Sequence, residues 1–444
     1  MAEISLKKRV WGWFFFDWAS QPYNTLLLTF IFGPYVTSQF SDGAAGQAAW
    51  AFGIATAGII IALLAPILGA IADNSGRRVR WIWLFSVMYF VGAFGLWWSA
   101  PDGFNLTYVM ISFGIGLIGM EFATIFTNSM LPDLGPRDEI GRLSGNGWAF
   151  GYIGGLLALV IMLLFFAEQG TGKTLIGLDP LFGLDAEQRE GTRFVGPLAA
   201  VWFAVFMVPF FLWVKDPKDR PISIAKTSSA LQDLGRTLRR LPRSPSLFAY
   251  LGSSMFYRDA LNGIFVFGGV YAKGVLEWSI VDTGIFGILA IITGAIFAWV
   301  GGRADAAYGP KPVITICILT LASVALLIVF VSRDSVFGIA VPPDSALPDI
   351  AFYVLGGMIG AAGGALQSAS RTMMVRQANP ARMTEAFGLY ALAGKATSFI
   401  APLLIGITTT VTGSQALGIT PLIGLFLIGL VLLAWVKPDG EPQP

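Results

Sequence analysis

The chain has 444 residues, of which 55% are hydrophobic, 14% aromatic and only 13% charged, with a mean hydropathy of +0.69, far from an ordinary soluble globular domain. A net charge of +2 gives no basis for a nucleic-acid partner, and the absence of histidine excludes imidazole as metal ligand, proton shuttle or general base. The single cysteine, Cys317, excludes an internal disulfide framework and a cysteine-ligated metal site.

Lys7, Lys8 and Arg9 precede an apolar stretch at about 10–35. It is about twice the length of a signal-peptide core, contains Asp17 and lacks a small-x-small cleavage site, so it reads as a first membrane span. Further spans long enough to cross hydrocarbon follow at about 48–72, 79–99, 105–131, 143–167 and 195–214, then 245–272, 281–302, 312–331, 350–376, 384–411 and 414–436. The expectation is an all-α membrane protein with twelve transmembrane helices in two pseudo-symmetric six-helix bundles. The N-terminal bundle covers 1–214, a cytoplasmic linker 215–244, and the C-terminal bundle 245–444.

Charge sets the orientation. Loops on one face and both termini hold 21 Lys and Arg, whereas the other face has five: Lys173, Arg189, Arg193, Lys273 and Arg333. The positive-inside rule then places both termini in the cytoplasm. The linker carries eight Lys or Arg and several prolines, and 225–240 reads as an amphipathic surface helix. The outer loop 168–194 is acidic and Gly-rich. Within it, Ala167 to Thr174 resembles a phosphate-binding loop, but it follows an apolar helix instead of a strand and faces away from cytoplasmic nucleotide, so nucleotide binding is not expected. Asn105-Leu106-Thr107 fits a glycosylation acceptor but abuts the membrane, and is read as chance.

Between spans two and three lies Gly69-Ala70-Ile71-Ala72-Asp73-Asn74-Ser75-Gly76-Arg77-Arg78, with Arg80 following. A weaker copy, Gly301-Gly302-Arg303-Ala304-Asp305, occurs at the same point of the second half; Gly69 to Gly301 and Asp73 to Asp305 are both separated by 232 positions. Two copies imply a duplicated membrane protein. The Gly, Asp, Gly and paired-basic spacing resembles the loop between helices two and three of the major facilitator superfamily. That resemblance implies that the Asp caps or salt-bridges a neighbouring helix, that the glycines permit close helix crossing, and that the loop holds the outward-facing state.

Polar residues inside the spans are the informative ones, because a charge in hydrocarbon costs several kcal/mol and must face a cavity or a partner. In span one Asp17, Gln21 and Asn24 recur at spacings of four and three, with Pro22 loosening the backbone beside them. Span seven holds Arg258, Asp259 and Asn262, the last two expected on one face. Glu121, Thr124 and Asn128 form a stripe in span four, and Gly356, Gly360, Gly364, Gln367 and Arg371 one in span ten. A shift of 243 sets Asn128 on Arg371, Gly145 on Gly388, Gly151 on Gly394, and Tyr152 on Lys395, alongside Trp148 and Tyr390. Acidic and aromatic groups therefore come mostly from the first half and cationic ones from the second.

Three passages resemble one branch of that superfamily, the autophagy-related vacuole-effluxer-like family and its bacterial relatives. They are the run from Trp11 to Asn24; Leu131-Pro132-Asp133 with the run from Gly141 to Trp148; and Gln367 to Arg371 with the run from Phe387 to Tyr390 and Gly394-Lys395. Span seven departs: an Asn-Asp pair is expected after Tyr257, and Arg258-Asp259 stands there, a cation that would neutralise the acid and remove a proton role from Asp259. The resemblance implies export of amino acids or similar small metabolites.

The expected mechanism is alternating access around a midplane site. Arg371 and Lys395 are candidates to hold an anionic group, and Asp17 and Glu121 to hold an ammonium group or a coupling proton. Trp148, Tyr152 and Tyr390 are candidates to wall the cavity, with Asn24, Gln21, Asn128 and Gln367 completing it. Asp17, Arg258, Asp259, Asn262, Gly69, Asp73, Gly76, Arg77, Arg78 and Asp305 are candidates for coupling or gating. The bland alternative is that these charges are structural bridges within the bundle. A lipid-moving relative and a non-transporting scaffold or sensor are the other functional alternatives. No enzyme, metal or cofactor is expected, since no nucleophile–base pair falls on one face; the partners are a small solute, the bilayer and at most a coupling proton, for a monomer in a bacterial inner membrane.

Overall fold

A computed structural model describes residues 4–41, 43–75, 77–216, 232, 234–239, 241–278, 280–342 and 344–441. Gly76 and most of the 215–244 linker lie outside the described residues; of the surface helix expected at 225–240 only 232 and 234–239 are described, and these are helical. Ten helices among these residues are long and apolar enough to cross a membrane.

The chain forms two compact units. One comprises Met1–Met130 with Phe150–Thr227, the other Leu131–Ala149 with Ser228–Pro444. One of the three boundaries, between Ala149 and Phe150, falls inside the helix Ile140–Phe165.

In the first unit, α1 (Leu6–Pro22) runs into a π-helical segment, Tyr23–Phe30, and then α2 (Phe32–Ser38). The uniform span expected at 10–35 is therefore broken. Pro22 has no N–H to donate, and the wider π turn that follows absorbs the gap. The long helices α3 (Gly43–Ser75), α4 (Arg78–Gly95), α5 (Leu106–Asn128) and α6 (Ile140–Phe165) come next. The sixth span is three short helices: α7 (Glu190–Arg193), α8 (Val195–Phe206) and α9 (Val208–Trp213). Aromatic rings fill this core. Tyr89 stacks on Phe203 with centroids 3.9 Å apart, and the buried Tyr23 hydroxyl donates to the Phe113 carbonyl at 2.6 Å. The Asn105 side chain caps α5 by accepting from Tyr108 N at 3.1 Å.

The second unit contains α10 (Pro245–Val275), α11 (Ile280–Tyr308), α12 (Pro310–Ile328), α13 (Leu347–Gln377), α14 (Met383–Ala396), α15 (Ile400–Thr412), α16 (Gln415–Gly418) and α17 (Thr420–Ala434). The span expected at 384–411 is thus two helices meeting at a break, 397–399. Here much of the seam is made of small residues. Gly360 lies against Ala290 and Thr293, Gly364 against Gly294, and Gly356 against the Phe286 ring, so α13 packs closely on α11 along the glycine stripe. A two-stranded hairpin, β1 (Ser335–Val336) with β2 (Ile339–Ala340), interrupts the helical pattern after α12; its turn residues Phe337 and Gly338 take φ of 53° and 82°. Lys311 donates to the Val436 carbonyl at 2.7 Å, placing a cation at the C-terminal end of α17.

Candidate functional site

Each unit gathers a different subset of the expected residues. In the first, Asp17 and Gln21 face α6 at its glycines: a Cβ at Gly151 would lie 3.1 Å from the Asp17 carbonyl oxygen, and one at Gly155 would lie 2.8 Å from Gln21 Cγ. Asn24 falls in the π segment and is half-buried; its carbonyl accepts from Thr29 Oγ1 at 2.8 Å. Glu121 and Asn128 are half-buried on α5, and Tyr152 is half-buried on α6.

The first motif loop is built at the entrance to α4. Gly69 is buried and Asp73 half-buried near the end of α3. Val79 N, in the first turn of α4, donates to both carboxylate oxygens of Asp216 at 3.0 and 3.1 Å, while Arg78 Nη1 donates to the Ser129 carbonyl at 2.8 Å. Arg77 is half-buried beside it. Asp216 was not expected; an acid just past an apolar span carries no helical periodicity to mark it.

The second copy has its own geometry. Asp305, fully buried near the end of α11, lies against the first turn of α6, where a Cβ at Gly141 would be 2.6 Å from the Asp305 carboxyl carbon. The position near a helix N-terminus is electrostatically favourable for a carboxylate. One turn on, Gly145 meets Gly302: a Cβ at Gly302 would be 2.7 Å from Gly145 Cα. Two glycines in register therefore let α6 and α11 touch backbone to backbone.

Arg371 completes this junction. It is 3% exposed, its Nε donates to the Ser144 hydroxyl at 2.9 Å, its Nη2 donates to the Ser144 carbonyl at 2.7 Å, and its guanidinium lies 5.6 Å from the Trp148 ring centroid. Ser144 also donates to the Ser368 carbonyl at 2.8 Å. Sequence reasoning missed Ser144 and Ser368, because a serine in an apolar run carries no signature of its own. Gln367 is half-buried and donates to the Gly363 carbonyl at 3.4 Å.

A second cluster forms around Tyr390. Arg258 Nη1 donates to the Tyr390 carbonyl at 2.9 Å, and the Arg258 guanidinium carbon sits 4.1 Å from the Tyr390 ring centroid. Tyr250 stacks on Tyr390 at 6.0 Å and donates to the Ser370 carbonyl at 2.5 Å, while the Tyr257 hydroxyl meets Ser370 Oγ at 2.8 Å. Asp259 points elsewhere: 1% exposed, it accepts from Ala401 N at 2.9 Å and so caps α15 at the 397–399 break. Neighbours in sequence, Arg258 and Asp259 serve different helices. Asn262, expected to share a face with Asp259, is exposed instead of buried with it. Lys395 is half-buried in the last turn of α14.

Lys173 in the outer loop pairs with Asp179 at 3.9 Å, and the element before that loop is the helix Ile140–Phe165. Among the described residues no group of three or more His, Cys, Asp or Glu could hold a metal ion.

Apolar helices of membrane-crossing length, with two related motif loops, define a multi-pass membrane protein of the major facilitator class. The fold is similar to that of the proton:xylose symporter XylE (TM-score 0.68, 14% identity, covering 98% of this chain and 97% of that one) and to the E. coli fucose:proton symporter FucP (TM-score 0.64, 16% identity, 98% and 99%). It is also similar to a bacterial homologue of the iron transporter ferroportin in its outward-facing state (TM-score 0.68, 13% identity, 98% and 99%). The chain belongs to the vacuole effluxer Atg22-like family, whose model matches residues 44–440. It is 24% identical over 439 residues to the uncharacterized MFS-type transporter YxiO of Bacillus subtilis (strain 168), covering 96% of this chain and 94% of that protein. It is also 25% identical over 311 residues to autophagy-related protein 22 of Coccidioides immitis (strain RS), covering 66% of this chain but only 47% of that protein. The YxiO description is that of a transporter and the family description that of an effluxer.

Proposed function

We propose that the chain is a secondary transporter that exports a small polar or zwitterionic, amino-acid-like metabolite by alternating access, with a proton as the coupling ion. The observation that carries this reading is the set of half-buried ionisable side chains, Asp17, Glu121, Arg258 and Lys395, placed on helices of a predominantly apolar chain. Such groups are tolerated in hydrocarbon only where they border water or a partner. Asp17 and Glu121 supply acids for an ammonium group or a proton, and Arg371 and Lys395 supply the cationic side. Efflux follows the effluxer description of the family. The bacterial inner membrane, with both termini cytoplasmic, is the setting the loop charges favour.

The test is flux of a labelled amino-acid panel in proteoliposomes, with and without a pH gradient, for wild type and Arg371→Ala. Expected is saturable movement of at least one compound, faster with the gradient and lost in the variant. Absence of flux for every compound would abandon the transporter reading.

A further inference from the structure

The loop between α6 and α7 folds back along the helix it has just left. Leu175 lies ten positions past Phe165, the last residue of α6, yet its N–H donates to the Leu163 carbonyl at 3.2 Å. Leu163 belongs to the final turn of a helix long and apolar enough to cross a membrane. The loop backbone therefore sits beside the end of a span, at the depth where headgroups give way to acyl chains.

At that depth the loop presents an apolar face. Leu175, Ile176, Leu178, Leu181 and Phe182 are all exposed. Asp179 is the one charge in 175–182, and it pairs with Lys173 at 3.9 Å. Phe182 is 79% exposed and held at φ 64°, a conformation that a bulky residue adopts only where its surroundings impose it. Its ring leans on Phe166, just past α6, at 5.8 Å and on Phe194, just before α8, at 6.2 Å. The same two helices expose Ile153 and Leu157 on α6 and Val201 and Val205 on α8, along spans that acyl chains cover. The loop face adjoins the ends of both, so the cover that suits it is the same bilayer.

Irregular backbone is excluded from hydrocarbon itself, because its N–H and C=O groups would go unmet. Tight turns meet part of that demand here: Thr174 N donates to the Leu178 carbonyl at 2.8 Å and Gly177 N to the Thr174 carbonyl at 2.9 Å. The arrangement suits shallow insertion, with apolar side chains below and Lys173 and Asp179 among the headgroups.

We propose that residues 175–182 form a wedge that inserts Leu175, Ile176, Leu178, Leu181 and Phe182 into the headgroup–acyl boundary of the leaflet reached by the end of α6. This holds whatever the chain transports. The test places single nitroxide labels at Ile176→Cys, Leu178→Cys and Phe182→Cys in a Cys317→Ala background, with the full chain in phosphatidylcholine–phosphatidylglycerol vesicles. Relaxation by oxygen, which concentrates in lipid, is compared with relaxation by a nickel chelate, which stays in water. Leu157→Cys on α6 gives the lipid reference and Glu187→Cys, exposed further along the loop, the water reference. All three wedge labels should be relaxed more by oxygen than by nickel, reversing the order found at Glu187→Cys. Ile176 takes no part in the ring contacts of Phe182, so its label reads the segment even where Phe182→Cys disturbs it. Stronger relaxation by nickel at Ile176→Cys or Leu178→Cys would put the loop in water and overturn the proposal. Protection of these labels from both reagents would mean that a second copy or another protein covers the face, and overturns it equally.

Discussion

Arg371 gives two donors to one residue, Ser144: Nε to the hydroxyl at 2.9 Å and Nη2 to the carbonyl at 2.7 Å. A cation this buried is tolerable only when its donors are met, so Ser144 neutralises a desolvation cost that would otherwise fall on α13. Ser144→Ala keeps the carbonyl and removes the hydroxyl, and should lower stability by about 1–3 kcal/mol, read by thermal melting in detergent. Ser144→Ala with Arg371→Ala together should cost less than the sum of the single changes by about 0.5–3 kcal/mol. Strict additivity would show that the contact contributes nothing.

Gly145 and Gly302 are a second joint between α6 and α11. A Cβ at Gly145 would lie 2.5 Å from the Ala298 carbonyl oxygen, with backbone on both sides and no flexible side chain to give way. Gly302→Ala and Gly145→Ala should each cost about 1–3 kcal/mol by overpacking. Gly406→Ala is the control, since nothing lies within 4 Å of a Cβ there, and it should melt with wild type. Equal melting of all three variants would mean that the helices separate at no cost.

The glycine stripe of α13 and the membrane-length helices were legible in the sequence because both are written in period and composition, apolar runs of hydrocarbon length and small residues repeated every four positions, whereas the meeting of Gly145 with Gly302 was not. The break at 397–399 was legible only in part. Pro402, which has no N–H for the Ser398 carbonyl, is a local signal for it, but the acceptor that Asp259 of α10 supplies to the next helix is a tertiary partner that no local window contains. Pro22 was visible, but that the backbone answers it with an eight-residue π segment instead of a kink was not. The roles of Ser144 and Asp216 were hidden for the same reason: each acts on a helix far away in sequence.

Asp305 and Gly141 predict a coupled pair. Because the α6 backbone rests on the carboxyl group, Gly141→Ala should push it aside and destabilise by about 1–3 kcal/mol. Asp305→Ala opens the space that the new methyl needs. In the Asp305→Ala background the Gly141→Ala change should therefore become nearly neutral, a coupling measurable by a double-mutant cycle in detergent melts. An undiminished Gly141→Ala effect in that background would place the strain elsewhere.

In the outer loop, Glu168 is 4% exposed, accepts from Thr192 N at 2.9 Å and Thr192 Oγ1 at 2.6 Å, and forms an ion pair with Arg189 at 2.9 Å. Arg189 sits at φ 54°, a left-handed conformation that a non-glycine residue adopts only when its surroundings hold it. Glu168→Ala removes three contacts together and should free the loop, seen as faster limited proteolysis between α6 and α8. Glu168→Gln keeps an acceptor for Thr192 and should fall between the two. Identical cleavage rates for wild type and Glu168→Ala would mean the loop is ordered by other contacts.

Asp259 tests whether a buried acid in α10 works as a structural cap or as a proton carrier. Its Oδ2 accepts from Ala401 N at 2.9 Å, and its Oδ1 has no partner. A helix N-terminus is capped about equally well by Asn and Asp, because the backbone N–H needs an acceptor oxygen and not a charge. As a cap alone, Asp259→Asn should keep the wild-type melting temperature, while Asp259→Ala loses the acceptor and about 0.5–2 kcal/mol. Flux measured with and without a pH gradient then separates the two roles. A structural cap predicts that Asp259→Asn responds to the gradient as wild type does. A carrier predicts normal stability with the gradient response gone, because an amide holds the same hydrogen bond but cannot take up and release a proton. Arg258 does not obscure this comparison: its guanidinium lies on Tyr390, and the residue changed in the test is the one that holds α15.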